Sequence, residues 1–258
     1  MRVLLVNAHP DDVEFTCAST CKQMVDLGWE VYEILMTSDE YGTVRDDFKG
    51  ERIRRIRKNE MVEAAKVYGI NEDGTPKIKL IWFGEIDGHL RFNREVFLRL
   101  KNMVIDINPD IIIGPDSFYS MDLHPDHKHT GWLIYLLVQS LEPKKRPTLL
   151  LYHSFNTNFY IEIKNIKIQV EAWSKHRSQT RPIFNKILVP LRRLFYFLRR
   201  IKTGPIIAEG FRKVDFSREE NLIKNTLHKI VYYIFATEMD GPDRYHPTPE
   251  ELGLFPQK

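Results

Sequence analysis

The feature that most constrains the fold is a regular alternation of short β-branched runs with longer segments of helical periodicity. Strands that alternate with helices form a mostly parallel sheet with helices on both faces. The sequence therefore predicts a Rossmann-like α/β fold, in which ligands bind beyond the carboxyl ends of the strands. The predicted strands lie at 3–6, 30–36, 79–83, 111–113 and 148–152, and the predicted helices at 13–27, 51–68, 93–107, where Asn93 is the N-cap, and 127–140.

The pattern becomes less regular towards the C-terminus. We interpret 1–258 as a single domain with its core at 1–153 and a C-terminal elaboration at 154–258. The elements predicted in the elaboration are a strand at 159–163 and helices at 168–175 and 219–236.

A basic amphipathic segment lies at 183–202, with six cations and no acid. Pro190 suits the first turn of a helix, after which apolar and cationic side chains fall on opposite faces. Two interpretations stay open. The helix packs on the body of the protein or on another subunit of a homo-oligomer, or it makes peripheral contact with an anionic membrane or covers an amphiphilic substrate.

The overall charge is nearly balanced, with 38 Lys and Arg against 35 Asp and Glu among 258 residues. This balance gives no support for a nucleic-acid partner. Cys17 and Cys21 are too few for a disulfide framework and are predicted to be small buried residues on one helix face. No apolar stretch reaches the roughly 20 residues of a membrane-spanning helix, and the N-terminal apolar run is predicted to be a strand. We therefore expect a soluble, cytoplasmic protein.

Two tetrapeptides carry the chemical signal, His9-Pro10-Asp11-Asp12 and His124-Pro125-Asp126-His127. At ordinary residue usage, His-Pro-Asp occurs at on the order of one position in ten thousand, so two copies that each follow a predicted strand are improbable by chance. Parallel strands bring both copies to one edge of the sheet.

The two motifs offer three imidazoles and three carboxylates. Two histidine nitrogens and one carboxylate oxygen, with one coordination position open, suit catalytic zinc, and the same donors suit Fe²⁺ or another divalent ion. Asp11, next to Asp12, is well placed to take a proton from water. The imidazole that is not a ligand is suited to polarise a carbonyl or protonate a leaving amine, with Asp126 orienting it.

These motifs resemble those of the PIG-L / LmbE-like family of metal-dependent N-deacetylases, which act mostly on N-acetylglucosamine linked to another group. Further similarities run through most of the chain. They are Arg57-Lys58-Asn59-Glu60 for an R-x-x-E helix, Asp87-Gly88 for a D-G loop, His176-Arg177-Ser178-Gln179 for H-x-S-Q, and Ala208-Glu209-Gly210-Phe211 for A-E-x-F.

The resemblance implies a role for each matching residue. The metal ligands would be His9, Asp12 and His127, holding Zn²⁺ or Fe²⁺. The general base would be Asp11, and His124, assisted by Asp126, would stabilise the oxyanion and protonate the amine. The residues that line or brace the substrate pocket would be Glu14, Arg57, Asp87 and His176. Among the other histidines, His89 is a weak candidate for the rim of the site, and His129, His153, His228 and His246 are interpreted as surface or satisfied residues.

The sequence departs from the family pattern after the first motif, where Thr16, Ala18 and Ser19 stand in place of the usual glycines, and in a loop after the second predicted strand. The family's T-x-G-E element corresponds to Thr37-Ser38-Asp39-Glu40, with Asp39 in place of the glycine. We expect a metal-dependent hydrolase that removes acetyl from an N-acetylglucosamine-type substrate, free, conjugated or lipid-linked. The alternatives are an amidase acting on another amide, such as a thiol-sugar conjugate, and a non-catalytic Rossmann-like binding module whose motifs are helix caps.

Overall fold

The computed structural model describes residues 1–120, 122, 124–179, 204 and 207–217. The helices predicted within 183–202 and at 219–236 lie outside the described residues. In chain order the elements are β1 Arg2–Asn7, α1 Asp12–Thr16, α2 Ala18–Asp26, β2 Glu30–Thr37, α3 Glu51–Tyr68, β3 Lys79–Glu85, α4 Arg94–Ile107, β4 Ile111–Pro115, α5 Pro125–Ser140, β5 Thr148–Tyr152, β6 Phe159–Glu162, α6 Ile166–Trp173 and β7 Ala208–Lys213.

The strands form one seven-stranded sheet in the order β3-β2-β1-β4-β5-β7-β6. Strands β1 to β5 pair in parallel with one another, whereas β7 is antiparallel to both β5 and β6. This arrangement confirms the predicted mostly parallel α/β fold. Strand β7 was not predicted, because its sequence, Ala-Glu-Gly-Phe-Arg-Lys, lacks a β-branched run.

The sheet separates two apolar layers, and β1 contributes to both. Leu4 and Val6 pack in the layer that includes Val96 and Leu100 of α4. Val3 and Leu5 pack in the layer that includes Met24 of α2 and Ala172 of α6. Because β1 is covered on both faces, its apolar residues are continuous rather than alternating with polar ones.

The continuous helix predicted at 13–27 is wrong, because the chain breaks at Cys17, whose φ and ψ are −143° and 29°. The break exposes the first amides of α2, and those of Ser19 and Thr20 donate to the Glu209 carboxylate of β7 at 3.0 and 2.7 Å. A carboxylate is favoured there because a helix N-terminus carries partial positive charge. Cys17 and Cys21 are both buried and unbridged, as predicted, but Cys17 lies between the helices rather than on a helix face.

The other predicted helices are confirmed with small shifts. Helix α3 begins and ends where expected, and the Asn93 side chain caps α4 by accepting from the amide of Val96 at 3.0 Å. Helix α5 begins at Pro125, two residues before the predicted start at 127. No helix among the described residues has both the length and the apolar character that crossing a membrane requires.

Candidate metal centre

The two His-Pro-Asp motifs meet because their strands are neighbours. The first follows β1 and ends on the first residue of α1, the second opens α5 after the loop that follows β4, and β1 pairs directly with β4. The chain passes from β1 to β2 on one side and reaches β4 on the other, so the motifs lie where the strand order reverses. Open parallel sheets bind ligands at such a point, beyond the carboxyl ends of the strands.

His9, Asp12 and His127 form a buried group whose donor atoms lie within 4.8 Å of one another. His9 Nδ1 is 3.0 Å from His127 Nε2, and the same His127 nitrogen is 3.0 Å from Asp12 Oδ1. Two imidazole lone pairs repel at this separation unless a proton or a cation lies between them. The donor set therefore fits a divalent cation, with the nitrogen and oxygen ligands that zinc and iron accept.

Asp12 is held so that one carboxylate oxygen faces this group. The backbone amides of Ala8 and His9 donate to its Oδ2 at 2.9 and 3.0 Å, which leaves Oδ1 towards His127. Burial acts to raise the pKa of Asp12, but His127, His9 and these amides hold it well below its ordinary value. Asp12 is therefore ionised, as a metal ligand must be.

Asp11 faces a buried cation instead. Its Oδ2 lies 3.3 Å from Nη1 of Arg57, a side chain on α3 that is only 2% exposed. Arg57 also pairs through Nε with Asp39. Burial acts to raise the pKa of Asp11, but Arg57 lowers it below its ordinary value, so the carboxylate is ionised and available to accept a proton.

The outer nitrogen of His9 is held by two carboxylates. His9 Nε2 lies 3.1 Å from Asp87 Oδ1 and 3.3 Å from Asp126 Oδ2. The Asp126 carboxylate also accepts from the amides of Gly88 and Leu90 at 2.7 and 3.1 Å. Such outer contacts fix the tautomer and orientation of a metal-binding imidazole. The Asp126 carboxylate therefore orients His9, whereas the sequence predicted that it would orient His124.

His124 is the most open imidazole of the cluster. The Asp126 backbone amide donates to its Nδ1 at 3.3 Å, and its ring meets that of His9 edge to face, with centroids 4.6 Å apart. Burial and the neighbouring His9 and His127 lower the pKa of His124 below its ordinary value. The neutral form is therefore favoured at rest, and because Nδ1 accepts, Nε2 carries the proton.

Sequence reasoning missed two residues behind His127. Asp122 Oδ2 contacts His127 Nδ1, while Asp122 Oδ1 accepts from the amide of His124 at 2.8 Å. His153 Nδ1 lies 3.5 Å from the same Asp122 Oδ2. The signal for His153 was its place directly after β5, at the same edge of the sheet as the motifs, although we interpreted it as a surface or satisfied residue.

The residues predicted to line or brace a substrate pocket are more enclosed than a ligand contact would require. Glu14 and His176 are completely buried, with Glu14 Oε2 3.4 Å from His176 Nε2. The Tyr68 hydroxyl donates to Glu14 Oε1 at 3.0 Å. Arg57 has its guanidinium committed to two carboxylates. These three side chains brace the site from behind, whereas Asp87 lies in the cluster itself, next to His9.

A groove of about 640 Å³ borders Asp126 and the loop after β3. His89, a weak rim candidate in the sequence, and Phe92 line it together with Pro125 and His129 of α5. Its volume lies within the range of sites that bind small organic ligands.

Comparisons with known proteins identify the family to which the motifs point. The family model described as PIG-L, GlcNAc-PI de-N-acetylase, matches residues 4–137 and so includes both motifs. The chain is 25% identical over 228 residues to diacetylchitobiose deacetylase of Thermococcus kodakarensis, covering 83% of each chain. It is 28% identical over 193 residues to the probable N-acetyl-alpha-D-glucosaminyl L-malate deacetylase 2 of Bacillus anthracis, covering 69% of this chain and 80% of the relative.

A solved structure shows the same similarity in three dimensions. N,N'-diacetylchitobiose deacetylase of Pyrococcus horikoshii superposes with a TM-score of 0.75 at 26% identity and covers 84% of each chain. The likeness therefore extends through the described sheet as well as the motifs.

Proposed function

The chain belongs to the PIG-L family of GlcNAc-PI de-N-acetylases, and from this premise we propose that it is a zinc-dependent N-deacetylase of an N-acetylglucosamine-type substrate. The reaction is hydrolysis of the acetamide C–N bond, which releases acetate and a free amino sugar. The observation that carries this proposal is the meeting of His9, Asp12 and His127 at the carboxyl ends of β1 and β4.

His9, Asp12 and His127 would hold the metal. When bound, the ion acts as a Lewis acid that polarises the amide carbonyl and lowers the pKa of a water molecule. Zinc suits two imidazoles and one carboxylate, and Fe²⁺ accepts the same donors.

Asp11 acts as the general base. Its ionised carboxylate lies beside the ligand Asp12 in the chain, and Arg57 keeps it charged. It takes the proton that the attacking water must lose as the new C–O bond forms.

His124 acts on the other side of the reacting carbonyl. With Nδ1 occupied by the Asp126 amide, its Nε2–H donates to the oxygen that gains negative charge. The departing amine needs a proton, and the one that Asp11 takes from water supplies it when it passes to His124. The lowered pKa of His124 makes its protonated form a stronger acid towards the amine.

The substrate class is inferred from the relatives, whose names specify diacetylchitobiose and N-acetyl-glucosaminyl malate. Both carry an N-acetylated glucosamine, so the acetamide is the shared chemistry. The cytoplasmic location, the homo-oligomer and the membrane contact through 183–202 stay predictions.

An amine-release assay on the purified protein tests this function. The panel contains N-acetylglucosamine, N,N'-diacetylchitobiose, lipid-linked and inositol-linked N-acetylglucosamine, and a thiol-sugar conjugate as the contrasting amide. We expect release of acetate and amine in equal amounts from at least one N-acetylated saccharide, with about one divalent ion per chain. Cleavage of the thiol conjugate alone would favour the related amidase, and inactivity on every substrate would overturn the proposal.

A further inference from the structure

A single buried arginine lies between two carboxylates next to the proposed metal ligands. Arg57 Nη1 is 3.3 Å from Asp11 Oδ2, and Arg57 Nε contacts Asp39 Oδ2. The side chains of Arg57 and Asp39 are 2% and 4% exposed, so their contact is shielded from water. Because the guanidinium is a rigid planar fork, a partner that holds its Nε edge also fixes the direction of its Nη donors.

The backbone of Asp39 is itself unusual. Its φ of 58° lies in the left-handed region, which is uncommon for residues other than glycine, although Asp and Asn adopt it more readily than most. The carboxylate has room because residue 42 is glycine, and a Cβ there would lie 2.6 Å from the Asp39 carboxylate atoms. A disfavoured backbone conformation that persists beside a reacting group is an indication of function.

We propose that Asp39 is a positioning residue for Asp11 that acts through Arg57. Asp39 anchors the Nε edge, so that Nη1 stays directed at Asp11 Oδ2 and the general base keeps one orientation. Without this anchor the buried guanidinium pairs with one carboxylate instead of two. It is then free to rotate, and its rotation displaces Asp11. This inference rests on the proposed deacetylase function, in which Asp11 takes the proton from water.

The test compares three variants on the substrate that the amine-release assay identifies. Asp39→Gly removes the anchor and relieves the backbone strain. Asp39→Asn keeps an oxygen that accepts from Arg57 Nε but carries no charge. The matched control is Asn108→Gly, because Asn108 is another non-glycine residue with a positive φ, 49°. It lies just before β4, at the amino-terminal ends of the strands and therefore away from the motifs.

We expect Asp39→Gly to lower kcat on the order of tenfold while KM stays within about threefold, since a misplaced base affects the chemical step. Asp39→Asn should recover most of the loss, and Asn108→Gly should match the wild type. In an Arg57→Met background, Asp39→Gly should change kcat less than about twofold, because the residue through which Asp39 acts is gone.

Equal kcat for wild type and Asp39→Gly would overturn this inference and leave the proposed function standing. A tenfold loss that persists in the Arg57→Met background would also overturn it, because Asp39 would then act by another route. A wild type inactive on every N-acetylated saccharide would overturn the proposed function and this inference with it.

Discussion

Asp11 and Asp12 are adjacent in the sequence but meet different partners in the fold. Asp12 Oδ1 lies 3.0 Å from His127, whereas Asp11 Oδ2 lies 3.3 Å from Arg57. One carboxylate is therefore directed into the donor group and the other is left to exchange a proton. Two identical side chains acquire different roles because their surroundings differ.

Replacement of Asp11 should separate these roles. We expect Asp11→Ala to keep its bound metal and to lose on the order of a hundredfold or more in turnover, because only the general base is removed. Metal content and kcat measured on one preparation check this. The matched control is Asp12→Ala, which should lose metal as well as activity. Wild-type turnover in Asp11→Ala would show that Asp11 is not the base.

Asp39 predicts a pH dependence of stability. Burial raises the pKa of Asp39 to about 6, above the ordinary value of 3.8, even though Arg57 acts to lower it. Between these values the folded protein binds more protons than the unfolded chain, so stability contributed by Asp39 is present at low pH and is lost as the pH rises through about 6.

Urea unfolding of wild type and Asp39→Asn in metal-free buffer measures this effect. From pH 4.5 to 7, we expect the free energy of unfolding of wild type to fall relative to the variant by on the order of 1–3 kcal/mol. Parallel pH profiles for the two proteins would contradict the prediction.

At the scale of elements, the late motifs tie distant segments to the helices around the site. Glu209 of β7 caps the start of α2, as described above, and the amide and hydroxyl of Ser178 donate to Glu60 of α3 at 2.8 and 2.6 Å. The A-E-x-F and H-x-S-Q elements of the family resemblance thus have a structural explanation. Each supplies a hydrogen-bonding partner to a helix more than a hundred residues away in the sequence.

Loss of the Glu209 cap should destabilise the fold without removing a catalytic group. We expect Glu209→Gln to lower the free energy of unfolding by about 1–2 kcal/mol, because the charged acceptor at the α2 N-terminus becomes neutral. Urea unfolding checks this, with Glu162→Gln on the exposed face of β6 as the control. Equal free energies of unfolding for the two variants would show that the charge of Glu209 does not stabilise the fold.

For the molecule as a whole, the proposed metal links strands that are far apart in the sequence. His9 and Asp12 follow β1, and His127 lies on α5 after β4, more than a hundred residues later. An ion that binds only the folded arrangement stabilises it by mass action.

Removal of metal should therefore lower the melting temperature. We expect a chelator to reduce the Tm of the wild type by several degrees and added Zn²⁺ to restore it. His127→Ala should show reduced metal content and little response to the chelator, while His129→Ala, two residues further along α5, should keep its metal and the wild-type drop in Tm on addition of the chelator. A wild-type Tm that is unchanged by the chelator would contradict the proposed ligand set.

The sequence by itself determined the parallel part of the sheet and the identity of the motifs. The runs from β1 to β5 are apolar because both faces of these strands are covered, and that burial leaves a direct mark on composition. The general rule that ligands bind beyond the carboxyl ends of parallel strands predicted that the two motifs share one end of the sheet. The resemblance to the family, read from the sequence, then named His9, Asp12 and His127 as the ligands within them.

Only the tertiary structure decided which side chains support that group and from where. Asp122 joins it through a contact that no local pattern encodes, and Asp126 turns to His9 rather than to His124. The place of His153 after β5 was visible in the sequence, but its partner Asp122 was not. Strand β7 forms without a β-branched run because β5 and β6 supply its hydrogen-bonding partners. Local periodicity records what a segment buries, whereas the direction of a polar side chain depends on partners that distant parts of the chain bring to it.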